Sequence, residues 1–146
     1  MAVWADQQVQ HLGETECWGR LLGAQLGRLA FDGRDSVEIL PLNYVLRGRT
    51  IVFRTTADAA FLPQQRRPVS FEIDGWNTHT AWSVIAHGRL RRTHDPDAVA
   101  REAASGLPPW VPEDGVPRSE IVELEIDAVS GREFPRRTHT TALWYW

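Results

Sequence analysis

What most constrains this chain is a succession of short apolar segments separated by polar turns. Val69, Phe71 and Ile73 alternate with Ser70, Glu72 and Asp74, and Val122, Leu124 and Ile126 alternate with Glu123, Glu125 and Asp127. A period of two puts one set on each face of a strand, so both segments read as half-buried strands. Arg28–Phe31 and Val37–Leu46 flank the turn Asp32-Gly33-Arg34-Asp35 and form a hairpin; Thr50–Thr56 follows Arg47-Gly48-Arg49, and Ala81–Arg92 is a longer strand. Pro41 cannot donate to a ladder, so its strand must lie at an edge, bulge or bend there.

Helical signals are few. Cys17, Trp18, Leu21 and Leu22 share a stripe that predicts a helix over Glu14–Gln25, closed by Gly27. Asp95 as N-cap, Pro96 at the first helical position, Asp97 in the first turn and Gly106 beyond the end predict a second helix. Asp58–Gln65 has room for a brief helical turn limited by Pro63, and Leu107–Pro117 around Trp110 reads as an irregular packed loop. Six or so strands at hairpin spacing with peripheral helices predict a mainly β protein, a closed antiparallel barrel, in one domain spanning residues 1–146. Residues 10–135 would form its core, and the tail from Arg136 ends in Leu143-Trp144-Tyr145-Trp146, too apolar to be left comfortably in water.

Composition narrows the function. A formal net charge of −3 with scattered arginines gives no footprint for nucleic acid, and a small-molecule partner is expected instead. Cys17 is the sole cysteine, which excludes an internal disulfide and any multi-thiolate metal site; a reducing cytoplasm is the expected location. No run of about 20 apolar residues or secretory leader is visible. GxGxxG, P-loop, HExxH, GxSxG and CxxC motifs are all absent. His11, His79, His87, His94 and His139 occupy separate contexts, and only His79 and His87 have the even spacing of one strand face, so no metal site is expected.

The segment Gly48-Arg49-Thr50-Ile51-Val52-Phe53-Arg54-Thr55-Thr56 delivers a guanidinium and two hydroxyls to the end of a strand, the donors a phosphate requires. The other reading is a surface Arg54 paired with Glu72 or Asp74. Trp82 reads either as a ligand-facing ring or as core filler, and Cys17 as packing.

Ordered blocks carry a resemblance: Gly27-Arg28-Leu29-Ala30-Phe31, Pro41-Leu42-Asn43-Tyr44, Ile51-Val52-Phe53-Arg54-Thr55, Pro68-Val69-Ser70-Phe71-Glu72-Ile73-Asp74, Trp82-Ser83-Val84 with His87-Gly88-Arg89, Trp110-Val111-Pro112 and Gly131-Arg132. Together they are similar to the pyridoxamine 5'-phosphate oxidase-like family over about residues 10 to 135. The resemblance implies a six-stranded antiparallel split barrel of Greek-key type, a homodimer, and FMN held at the dimer interface. It implies Arg54, Thr55 and Thr56 at the FMN phosphate, and Pro41, Leu42, Asn43, Trp82 and Ser83 at the ring. No side chain is assigned to catalysis, since the flavin would carry the redox chemistry of an oxidoreductase.

One departure bears on the cofactor. Where many members carry a Gly-Ser/Thr-Lys-Leu turn whose Lys completes the phosphate site, this chain has Asp58-Ala59-Ala60-Phe61, with Ala60 in the Lys position. Losing one charge-assisted contact costs about 1.5–3 kcal/mol. A split barrel that has lost tight FMN binding and holds another ligand without catalysis is therefore a second expectation, and deazaflavin or haem binding a third. Pyridoxamine phosphate oxidase activity itself is not expected, because the Arg-rich C-terminal substrate segment is lacking.

Overall fold

A computed structural model describes residues 9–56, 59–61, 63, 66–93, 97 and 120–136. Within them the chain forms β1 (Gln10–Leu12), α1 (Glu14–Gly23), β2 (Leu26–Asp32), β3 (Val37–Asn43), β4 (Val45–Arg47), β5 (Thr50–Thr55), β6 (Pro68–Trp76), β7 (Thr80–Thr93) and β8 (Glu120–Pro135). All pairings are antiparallel, in the order β3-β2-β6-β7-β8-β5-β4, with β1 added to β8. The expected mainly β class is the one observed. Eight strand segments replace six because β1 is added and the run Val37–Leu46 breaks at Tyr44.

That break closes the sheet. β3 and β4 stand at opposite ends of the strand order, yet only Tyr44 separates them in sequence. The two margins of the sheet are therefore held together covalently and the sheet must curl on itself. Tyr44 secures the junction: its amide donates to the Gln25 carbonyl (3.0 Å), its buried hydroxyl donates to the Leu21 carbonyl (2.6 Å), and its ring packs edge-on against Phe71. Burial raises its phenol pKa far above the ordinary value. Pro41 sits in β3 opposite Arg28, on a strand with one paired side, as its missing donor requires.

The interior is a continuous cluster of alternating side chains. Leu29 and Phe31 of β2, Ile51 and Phe53 of β5, Val69, Phe71 and Ile73 of β6, and Val84, Ala86 and Leu90 of β7 all point inward. Phe61 joins them, edge-on to both Phe31 and Phe53. β8 is the hinge of this arrangement. Register shifts between His87 and Gly88, so that His87 faces Ala128 while Gly88 faces Ile126, and Asp127 is an extra residue. A one-residue insertion exchanges the two faces of a strand. Val122, Leu124 and Ile126 thus point inward before it, and Val129 packs on the core after it. Gly88 is required at the bulge, since a Cβ there would lie 2.0 Å from the Glu125 carbonyl oxygen.

Helix α1 covers one end of the barrel. Acidic Glu14 and Glu16 in its first turn complement the helix dipole, and Cys17 and Leu21, one turn apart, are fully buried. Leu22, expected in the same stripe, is 70% exposed, and the helix ends two residues earlier than predicted, where Ala24 turns extended. Contact with the barrel end is narrow, so only the centre of the stripe is covered. The predicted helix from Asp95 to Gly106, the loop around Trp110 and the tail from residue 137 lie outside the described residues, Asp97 excepted; of Asp58–Gln65 only residues 59–61 and 63 are described. No described helix is long and apolar enough to cross a membrane.

Candidate functional site

The alternation that builds the core also sorts the candidate site residues between two faces. On β5, Ile51 and Phe53 belong to the interior, so Thr55 points inward with them and is buried, while Arg54 points outward and is half-buried. Its Nε is shielded from solvent, and the side chain is engaged by a neighbour. On β3, Leu40 and Leu42 pack on the core, leaving Pro41 and Asn43 on the outer face. On β7, Trp82 packs against the interior in the same row as Val84, and Ser83 points outward. The outer face therefore carries Arg54, Pro41, Asn43 and Ser83. Thr55 and Trp82 are turned inward, and Thr56 stands one residue beyond β5.

Register locates these groups along the sheet. Arg54 lies opposite Ile121 and Ser83 opposite Arg132, so their partners stand near opposite ends of β8. Asn43 ends β3, next to the junction that feeds β4, whose Val45 lies opposite Val52 of β5, two residues from Arg54. β3 and β5 are in contact. The structure thus places Asn43 toward the Arg54 end of β5 and leaves Trp82 and Ser83 on a separate part of the sheet.

The alternative partners suggested for Arg54 are taken. β5 lies between β8 and β4, and Glu72 and Asp74 on β6 bind Arg28, at 3.0 and 3.5 Å. Burial, and next the charge of Asp74, raise the Glu72 pKa, with Arg28 acting in the opposite direction. At the Arg54 end of the barrel, Glu120 faces Thr55 and its carboxylate is held at 2.7 Å by Arg92, which offsets its negative charge. Ala60 is exposed, so the position that would carry a lysine faces solvent.

Trp82 has a defined environment that sequence reasoning missed. Arg20 of α1 lies over its ring, 4.5 Å from the centroid, and also binds Glu133 at 2.8 Å. On the neighbouring strand, Gly75 makes room for the indole; a Cβ there would meet it at 2.7 Å. Trp82 forms the floor of a cleft of about 430 Å³ walled by Glu16, Gly19, Arg20, Gly23 and Ala24. Nothing in the local sequence pairs Arg20 with Trp82; only the docking of α1 does. A second groove, of about 270 Å³, lies over the bulge, where Ser70 Oγ and His87 Nδ1 are 2.9 Å apart. His79 belongs to the turn after β6, not to the strand of His87. Among the described residues no group of three or more His, Cys, Asp or Glu side chains is placed to hold a metal.

A curled antiparallel sheet capped by one helix, with a guanidinium and short polar residues on its outer face, defines a β-barrel of the split-barrel class. Residues 13–133 match the family model described as pyridoxamine 5'-phosphate oxidase. The chain belongs to that family. Its fold is similar to the FAD binding protein from Mycobacterium smegmatis (26% identity, 87% of this chain and 99% of that one, TM-score 0.70). A conserved protein of unknown function from Corynebacterium diphtheriae is also similar (27% identity, 87% and 98%, TM-score 0.71). An FAD-binding protein from Mesorhizobium loti shares the fold at 20% identity (86% and 97%, TM-score 0.66). No curated protein matches the sequence.

Proposed function

We propose that this chain is a flavin-binding protein of the oxidoreductase type, acting as a homodimer on a small-molecule substrate in the cytoplasm. The observation that carries the reading is the common outer face of Arg54, Pro41, Asn43 and Ser83 in a chain of this family. Donor chemistry fits a flavin: Arg54 supplies a fixed cation for phosphate, Thr56 a hydroxyl beside it, and Asn43 and Ser83 supply hydrogen bonds for the polar edge of a planar ring. Pro41 leaves backbone free of the ladder next to that ring. When bound, a flavin supplies hydride or electron transfer. The residues of the chain bind and orient it; none is assigned a proton.

FMN is the form implied by the family. FAD is a second reading, favoured by Ala60 and by the name of the M. smegmatis relative. The diphosphate of FAD spreads its two charges over two phosphates, whereas the FMN monoester concentrates up to two on one, so a single arginine with no lysine beside it meets the lower charge per phosphate of FAD.

Titration of the purified protein with FMN and with FAD, followed by visible absorption, tests the reading. Arg54→Ala is expected to weaken binding about ten- to a hundredfold. Ala60→Lys, at an exposed position, is expected to tighten FMN more than FAD with no change in the unfolding midpoint. A protein whose titration leaves both flavin spectra unperturbed ends the proposal, and a monomer by sedimentation ends its dimeric form.

A further inference from the structure

We propose that Ser70 and His87 are a nucleophile and its base, and that they hydrolyse small uncharged carboxylic esters in the groove over the β7–β8 bulge. Register brings the pair together. Ala30 of β2, Ser70 of β6 and His87 of β7 lie opposite one another in one row, and all three belong to the outer face. Ser70 Oγ and His87 Nδ1 are 2.9 Å apart, within the reach of a nucleophile and its general base. Both stand on strands paired along both sides, so the sheet fixes their backbone. Ala30 next to Ser70 and Ala128 next to His87 carry only methyl groups, which leaves the pair open to a ligand.

The walls of the groove set the substrate class. Val37 and Pro68 are apolar, and a volume of about 270 Å³ suits a short acyl chain. Asp32 and Asp127 stand against the single cation Arg89, an excess of negative charge that disfavours anionic esters. Arg89, two residues beyond His87 on the same face, is steadied by donating from Nη1 to the Arg66 carbonyl. Arg66 is itself held at φ 68°, a left-handed conformation uncommon for a residue with a side chain. A guanidinium has five N–H donors, so one such bond does not exhaust its capacity to meet charge on a carbonyl oxygen. With Nδ1 unprotonated, the Ser70 hydroxyl donates to it. Oγ attacks the ester carbonyl carbon as its proton passes to Nδ1; the bond to the leaving alcohol's oxygen then breaks, and that oxygen takes the proton from Nδ1. Water adds to the acyl-Ser70 and gives its proton to Nδ1, which returns it to Oγ as the carboxylic acid leaves. Hydrolysis needs neither oxidant nor reductant, and is independent of the flavin reading.

The purified full-length protein is mixed with p-nitrophenyl acetate, nitrophenolate release is followed by absorbance, and the covalent adduct is mapped by peptide mass spectrometry. A burst of nitrophenolate and an acetyl group on Ser70 are expected. The chain contains no lysine, so lysine acylation cannot imitate the burst. Ser70→Ala should abolish the adduct and slow turnover about a hundredfold, and His87→Gln should slow the burst by a similar factor. Both side chains lie on the outer face, so the unfolding midpoint of each variant should hold. No burst in the unsubstituted protein, no acetyl group on Ser70, or an undiminished rate in either variant overturns the proposal. Because the unsubstituted protein must itself acquire the adduct, the proposal can fail whether or not the variants fold.

Discussion

The two halves of β8 on either side of Asp127 are built differently. Residues 120–126 pair with β5 on one edge and β7 on the other, and send Val122, Leu124 and Ile126 into the centre of the core. Residues 128–135 pair with β7 and, briefly, with β1; their inward positions include Val129 and Gly131, the latter tight against Cys17 of α1. Their side chains otherwise serve surfaces: Glu133 holds Arg20 over Trp82, and Phe134 is exposed. One strand thus contributes the barrel's packing in its first half and its helix cap and outer surfaces in its second. The bulge marks the boundary, because its extra residue changes which alternate positions point inward, from Val122, Leu124 and Ile126 before it to Val129 and Gly131 after it.

The strongest way to break the comparison is Leu124→Ala, which should lose about 2–5 kcal/mol in denaturant titration, against about 1 kcal/mol for Val129→Ala, whose side chain is only partly buried. Equal losses would mean the two halves share the core evenly. Gly131→Ala should lose about 1–3 kcal/mol, because its Cβ would lie 2.8 Å from the buried Cys17 sulfur and 3.0 Å from Leu12. Arg20→Met should lose about 0.5–1 kcal/mol, as the ion pair with Glu133 is partly solvated. The smallest effect concerns pH. Burial pushes the Cys17 thiol above its ordinary value of 9.0. Above that pH the unfolded chain releases a proton that the folded chain retains, so stability falls as pH rises, and Cys17→Ala should flatten that alkaline slope.

The first half of β8 was legible because its alternation is aliphatic and acidic in strict turn. The second half was not: Ala128, Ser130, Gly131 and Arg132 carry no apolar period, and an extra residue in a ladder leaves no local mark apart from Gly88 on the partner strand. The alternation in this strand is legible as far as Asp74, yet β6 runs on to Trp76. Gly75 is there to admit the Trp82 ring, and Asn77 makes the turn. Pro41 narrowed its strand to an edge, a bulge or a bend, of which the structure has the edge, and the cluster from Arg54 to Thr56 marked a strand end through its own chemistry. That Thr55 and Trp82 face inward while Arg54 and Ser83 face outward depends on which row the core claims. The sequence alternation permits either choice.

The single-residue link at Tyr44 has a consequence for engineering. A sheet whose margins are tied by one residue offers little open edge for another chain to join. Cutting the chain there, by circular permutation with new termini at Asn43 and Tyr44, would release two unpaired margins at once. Permuted chains should pair edge to edge and form open-ended assemblies in place of a discrete particle.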